Sequence, residues 1–107
     1  MIVDAHTHLW QSPEQLGPQL SALLRDRLSQ PLDAFEAGPR AHEEAMKSVD
    51  MAVVMGYRSR YLDAEVPNSL ISAYVATAPD RLIGLAAIDP MIDGYLDEID
   101  QAVGDRL

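Results

Sequence analysis

Two histidines one residue apart, in Asp4-Ala5-His6-Thr7-His8, are the side chains of this sequence best suited to chemistry. Neutral imidazole is a good donor to zinc and similar divalent ions. In an extended strand side chains alternate, so positions 4, 6 and 8 are expected to project to one side, where the two imidazoles converge. Asp4, on that same expected side, could accept a hydrogen bond from a ligating imidazole or line the interior beneath it. The plainer alternative is that both histidines end a strand as polar residues bonded to backbone. Their position favours ligation: they sit where an apolar strand runs out into a loop, the edge at which parallel α/β sheets and barrels build their sites. The third histidine, His42, stands beside Glu43 and Glu44 in an expected helix and reads as part of a solvated face. The chain has no cysteine, so a metal must be held by His, Asp, Glu or a modified side chain.

The elements that must position this pair follow from apolar patterning. Residues 1–5 form a short apolar run with β-branched Ile2 and Val3, read as a buried strand. Ser12-Pro13-Glu14-Gln15 has the residues of a helix start, and Leu16, Leu20, Leu23, Leu24 and Leu28 follow a spacing near 3.6, interrupted at Gly17-Pro18 and stopped near Pro31. Residues 31–40 read as loop with one helical turn around Leu32 and Phe35. A helix over 40–48 is expected to carry Ala41, Ala45 and Met46 on one side and Glu43, Glu44 and Lys47 on the other.

Continuous apolar runs at 50–56 and 82–88 predict strands covered on both faces. Between them, 68–78 is helical, and Tyr95, Leu96, Ile99 and Val103 mark a last helix. The alternation gives an α/β class with three parallel neighbouring strands and right-handed crossovers, in one domain over 1–107 with an inserted helical and loop segment at about 9–40.

Three further residues are candidates for substrate contact. Trp10 follows the histidine pair and can wall a pocket or pack on the rim. Arg58, with Tyr57 and Arg60, follows the second strand and can hold a carboxylate in a bidentate pair or lie solvated in a loop. Asp89 ends the third strand, where it can meet substrate, pair with a cation or cap the following helix.

The opening Met1-Ile2-Val3-Asp4-Ala5-His6-Thr7-His8 resembles strand one of the amidohydrolase superfamily. The segment Asn68 to Pro90, with Pro79-Asp80-Arg81-Leu82-Ile83-Gly84-Leu85-Ala86-Ala87-Ile88-Asp89-Pro90, is similar to the second and third βα units of its amidohydrolase-2 branch, which includes decarboxylases of aminocarboxymuconate semialdehyde and of resorcylate type, and pyrone-dicarboxylate lactonase. The similarity spans nearly all of the chain and is weakest between Leu9 and Gly38.

The resemblance implies the N-terminal βα units of a TIM-type (β/α)8 barrel, incomplete in a chain of 107 residues when a closed barrel takes ~250. It also implies a divalent ion, zinc or manganese, bound by His6 and His8 together with a mid-barrel His and a late Asp that have no counterpart here. The implied activity is hydrolysis or non-oxidative decarboxylation, as hydrolase or lyase, of a small carboxylated ring compound or its breakdown product. TatD-like nucleases, which share the pair, are expected to show Gly-x-His-Pro where this chain has Ile88-Asp89-Pro90. Phosphoesterases of the polymerase-and-histidinol-phosphatase type need further ligands soon after the pair, and 9–38 supplies no histidine.

A net charge of −9 and the absence of any Lys/Arg cluster weigh against nucleic acid and anionic lipid as partners. The 48% hydrophobic content is that of a globular protein, with no apolar run of membrane-spanning length. The opening lacks a signal-peptide pattern, so a cytoplasmic location is expected. Three apolar strands without a closing wall also predict self-association or a complementary chain.

Overall fold

Three parallel strands carry the candidate site: β1 (Val3–His8), β2 (Met51–Met55) and β5 (Leu82–Leu85), in the order β1-β2-β5. The computed structural model describes residues 1–29, 31 and 37–107. The expected helical turn around Leu32 and Phe35 lies outside the described residues. Among the described residues four helices, α1 (Gly17–Arg27), α2 (Pro39–Ala45), α3 (Asn68–Val75) and α4 (Tyr95–Gly104), accompany the sheet, and a 3-10 turn over Pro13–Leu16 precedes α1. The fold is mixed α/β, and the three strands are parallel neighbours as expected.

The sheet is covered on one face. Along β2, Ala52 and Val54 are buried while Met51, Val53 and Met55 are only partly so, and the register continues this alternation onto β5, where Gly84 beside Val54 is buried. The core lies on this side, with Leu9, Val54, Val66, Ile71, Tyr74 and Val75 packed together. On the other face Val3, Ile83 and Leu85 remain 46%, 43% and 44% exposed. The continuous apolar runs predicted cover on both faces; among the described residues only the helix side has it. The extents of 39 × 37 × 18 Å are those of a slab one sheet and one helical layer thick.

A short hairpin was not anticipated. β3 (Tyr57–Ser59) pairs antiparallel with β4 (Ala64–Val66), with Arg58 opposite Glu65 and Asp63 in the left-handed region at the turn. Ala64 and Val66 are buried and Glu65 is exposed, the alternation of a half-covered strand. Asn68, at the start of α3, ties that helix to the segment after β5: its amide donates to the Ala87 carbonyl at 3.1 Å and accepts from the Ala87 N–H at 2.8 Å. This side chain thus satisfies both backbone groups of Ala87 as a ladder partner would.

Candidate metal centre

At the carboxyl end of β1 the two imidazoles meet. His6 Nε2 and His8 Nε2 stand 2.9 Å apart, with ring centroids at 4.9 Å and planes inclined by 66°. His8 pairs in register with Met55, which pairs with Leu85, so the histidine lies on the open face at the last residue of each strand. Two imidazole nitrogens sharing a tetrahedral ion at ~2.0–2.1 Å stand roughly 3.3 Å apart, so this pair must part by a few tenths of an ångström and turn so that both Nε2 lone pairs aim at one ion. The present contact is a hydrogen bond in which one Nε2 donates and the other accepts. Ligation by both requires each ring to carry its proton on Nδ1 instead.

The convergence is built by an irregularity. Asp4 pairs with Ala52 and Thr7 with Val54, so three steps along β1 match two along β2. The extra residue is a bulge, and it places Asp4 and Thr7 on the same, helix-covered face, whereas strict alternation would oppose them. Asp4 is therefore not beside the imidazoles as expected; its carboxylate accepts the His6 backbone N–H at 3.2 Å.

His42 corrects another expectation. It is 7% exposed, far from solvated, because α2 is rotated to turn this residue inward while Glu43, Glu44 and Ala45 face out. Its Nε2 is 2.7 Å from Thr7 Oγ1 and its Nδ1 is 3.0 Å from the Tyr74 hydroxyl. Thr7 Oγ1 in turn donates to the Val53 carbonyl at 2.8 Å. A hydroxyl has one proton, so Thr7 must accept from His42 Nε2–H, and His42 Nδ1 then accepts from Tyr74 O–H. The chain of protons runs one way, with His42 neutral. Burial, opposed in part by the charge of Asp4, holds the His42 pKa below its ordinary value, and burial pushes the Tyr74 phenol up. Both shifts keep the protonation that the network needs.

A pH dependence follows from this burial. Since the folded His42 pKa lies below the unfolded value of 6.5, the unfolded chain binds more protons as pH falls through that value, and stability declines towards the folded pKa. One such group contributes a slope of at most about 1.4 kcal/mol per pH unit. Urea midpoints at pH 7.5 and 5.5 are expected to fall further in the native chain than in His42→Gln. Equal losses in the two would show that His42 is not the group responsible.

The candidate substrate residues are engaged elsewhere. The Arg58 guanidinium, far from free in a loop, makes a close ion pair with Glu98 in the first turn of α4 and lies 3.6 Å from Glu65. Arg58 Nε and Glu98 Oε2 are buried without a hydrogen-bond partner among the described residues. The Asp89 carboxylate accepts the Arg60 backbone N–H at 2.6 Å and the Met91 N–H at 2.9 Å, and these bonds hold it below the usual carboxylate range. It ties β3 to the loop after β5 and does not cap α4, whose N-cap is Gly94. Trp10 packs against the core with its indole N–H buried and unpartnered among the described residues.

Arg58, Asp89 and Arg60 line one open hollow of about 510 Å³ with Tyr61 and Met91, but neither His6, His8 nor Trp10 borders it. The ring of Tyr57 comes closest to joining the two regions, edge-on to His8 with centroids 6.3 Å apart. Among the described residues no third His, Asp or Glu joins the imidazole pair in a metal-holding group. No helix among them is long and apolar enough to cross a membrane. Neither the family models, the curated proteins nor the solved structures contain a match to this chain.

Proposed function

We propose that the chain forms the N-terminal βα units of an amidohydrolase-2 type TIM barrel. In this reading His6 and His8 hold a divalent ion, zinc or manganese, for hydrolysis or non-oxidative decarboxylation of a small carboxylated ring compound or its breakdown product. The observation that carries the reading is the convergence of two Nε2 atoms, 2.9 Å apart, at the carboxyl end of a parallel strand. The bound ion supplies Lewis acidity toward a water or a substrate carboxylate. The chain's own part is to present two neutral donors from one strand, with the open face beside them lined by Met55 and Leu85. Three protein ligands are usual in a catalytic zinc site, so two donors predict weak binding and negligible turnover by the chain alone.

The test is equilibrium dialysis against zinc and manganese, followed by assay of carboxylated aromatic acids for carbon dioxide release and for hydrolysis. One weakly held ion per chain is the expected result. Failure to bind any ion removes the metal reading, and tight binding with turnover by a monomer assigns the site to other residues.

A second reading, a non-catalytic barrel segment that works by pairing with complementary strands, is favoured by the apolar surface. Besides the open sheet face, α4 leaves Leu96, Ile99 and Val103 exposed at 62%, 40% and 68%, spaced to form a stripe along the helix. Exposed apolar surface and unpaired strand edges drive association. Sedimentation velocity at rising concentration is expected to show self-association that Ile83→Glu weakens. A single monomer boundary at every concentration would contradict it. The readings separate on the ion: only the first requires that His6 and His8 bind one.

A further inference from the structure

We propose that Thr7 is a positioning residue for the His6–His8 pair, locked by His42 and Tyr74 from the opposite face of the sheet. The proposal rests on the metal reading and deepens it. Thr7 lies between the two imidazoles in sequence, but its side chain is buried on the helix side, where its hydroxyl donates to Val53 and accepts from His42. Val53 is the β2 residue passed over between the ladder pairs Asp4–Ala52 and Thr7–Val54, so this bond closes the bulge at the point where the register slips. With the bulge closed, residues 6 and 8 flank a fixed Thr7 and their rings meet on the open face.

The lock is directional. Thr7 Oγ1 can give its proton to Val53 only while His42 donates from Nε2, and in that neutral tautomer Nδ1 is left to accept from Tyr74 O–H. Three elements, α3, α2 and β1, thus bear on one hydroxyl, and none of the three side chains involved touches the candidate ion. Outer groups that orient metal ligands commonly change affinity by about 10–100-fold when removed.

The experiment compares Thr7→Val, which keeps the shape and deletes the hydroxyl, with Thr7→Ser, which restores it. The readouts are the ¹⁵N and ¹H shifts of all three imidazoles without metal and zinc affinity by competition with a chromophoric chelator. In the native chain His42 is expected to show a single Nε2–H tautomer. In Thr7→Val that signature and the His6 and His8 ring shifts should change together, with zinc affinity falling by about 10–100-fold, and Thr7→Ser should restore both.

Should Thr7→Val fail to fold, Tyr74→Phe decides, because it removes only the donor to Nδ1 and should move the His6 and His8 shifts and the zinc affinity in the same direction by a smaller factor. Folded variants whose His6 and His8 shifts and affinity match the native chain overturn the proposal. If the native chain binds no zinc, the metal reading fails by itself, and the metal-free ring shifts still decide whether Thr7 positions the pair.

Discussion

Gly17→Ala is expected to lower the unfolding free energy by about 3 kcal/mol or more, a large part of the ~5–15 kcal/mol typical of a native protein. Gly17 joins the 3-10 turn to α1 with φ 74° and ψ 162°, a region that side-chain-bearing residues enter at a cost of about 1–3 kcal/mol. A Cβ at this position falls on the carbonyl oxygen of Leu62 and crowds the Asp63 carbonyl group. Both obstacles are backbone in the turn between β3 and β4, so relief requires shifting the hairpin that carries Arg58. Urea denaturation measures the loss. A midpoint within experimental error of the native chain would mean that the turn does not pack on Gly17 as described.

Replacing either His6 or His8 with alanine is expected to lower zinc affinity by about 100-fold or more. Two donors held on one strand make the second bond intramolecular, and a linked pair of this kind gains on the order of 10²–10⁴ over one donor acting alone. Both side chains are exposed and on the open face, so stability should change by no more than about 0.5 kcal/mol. That separation of affinity from stability marks a ligand as opposed to a packing residue. A loss of only a few fold on removing one ring would place the ion elsewhere.

The parallel sheet was legible because its signals are local: continuous apolar runs, Pro79 and Pro90 as punctuation, and helical spacing between them. The histidine pair was legible for the same reason, two donors at the end of one strand. What stayed hidden depends on contacts distant in sequence. Residues 4–8 read as simple alternation, and the bulge that moves Asp4 away from the imidazoles exists only through pairing with β2. His42 looked solvated beside two glutamates; its burial comes from Thr7 and Tyr74, 35 and 32 residues away. The helical spacing did hold a signal, since His42 and Met46 stand one turn apart on the side of α2 that is at least partly covered. The β3–β4 hairpin was missed because its strands are three residues each, too short for period two to stand out. Arg58 was read as loop for that reason, and its partner Glu98 lies 40 residues further on.

Binding of one divalent ion between His6 and His8 is tested most directly by crystals soaked in zinc and measured at the zinc absorption edge. One anomalous peak per chain is expected, between the two Nε2 atoms at ~2.0–2.1 Å from each. Zinc density elsewhere, with nothing between the two rings, would contradict it.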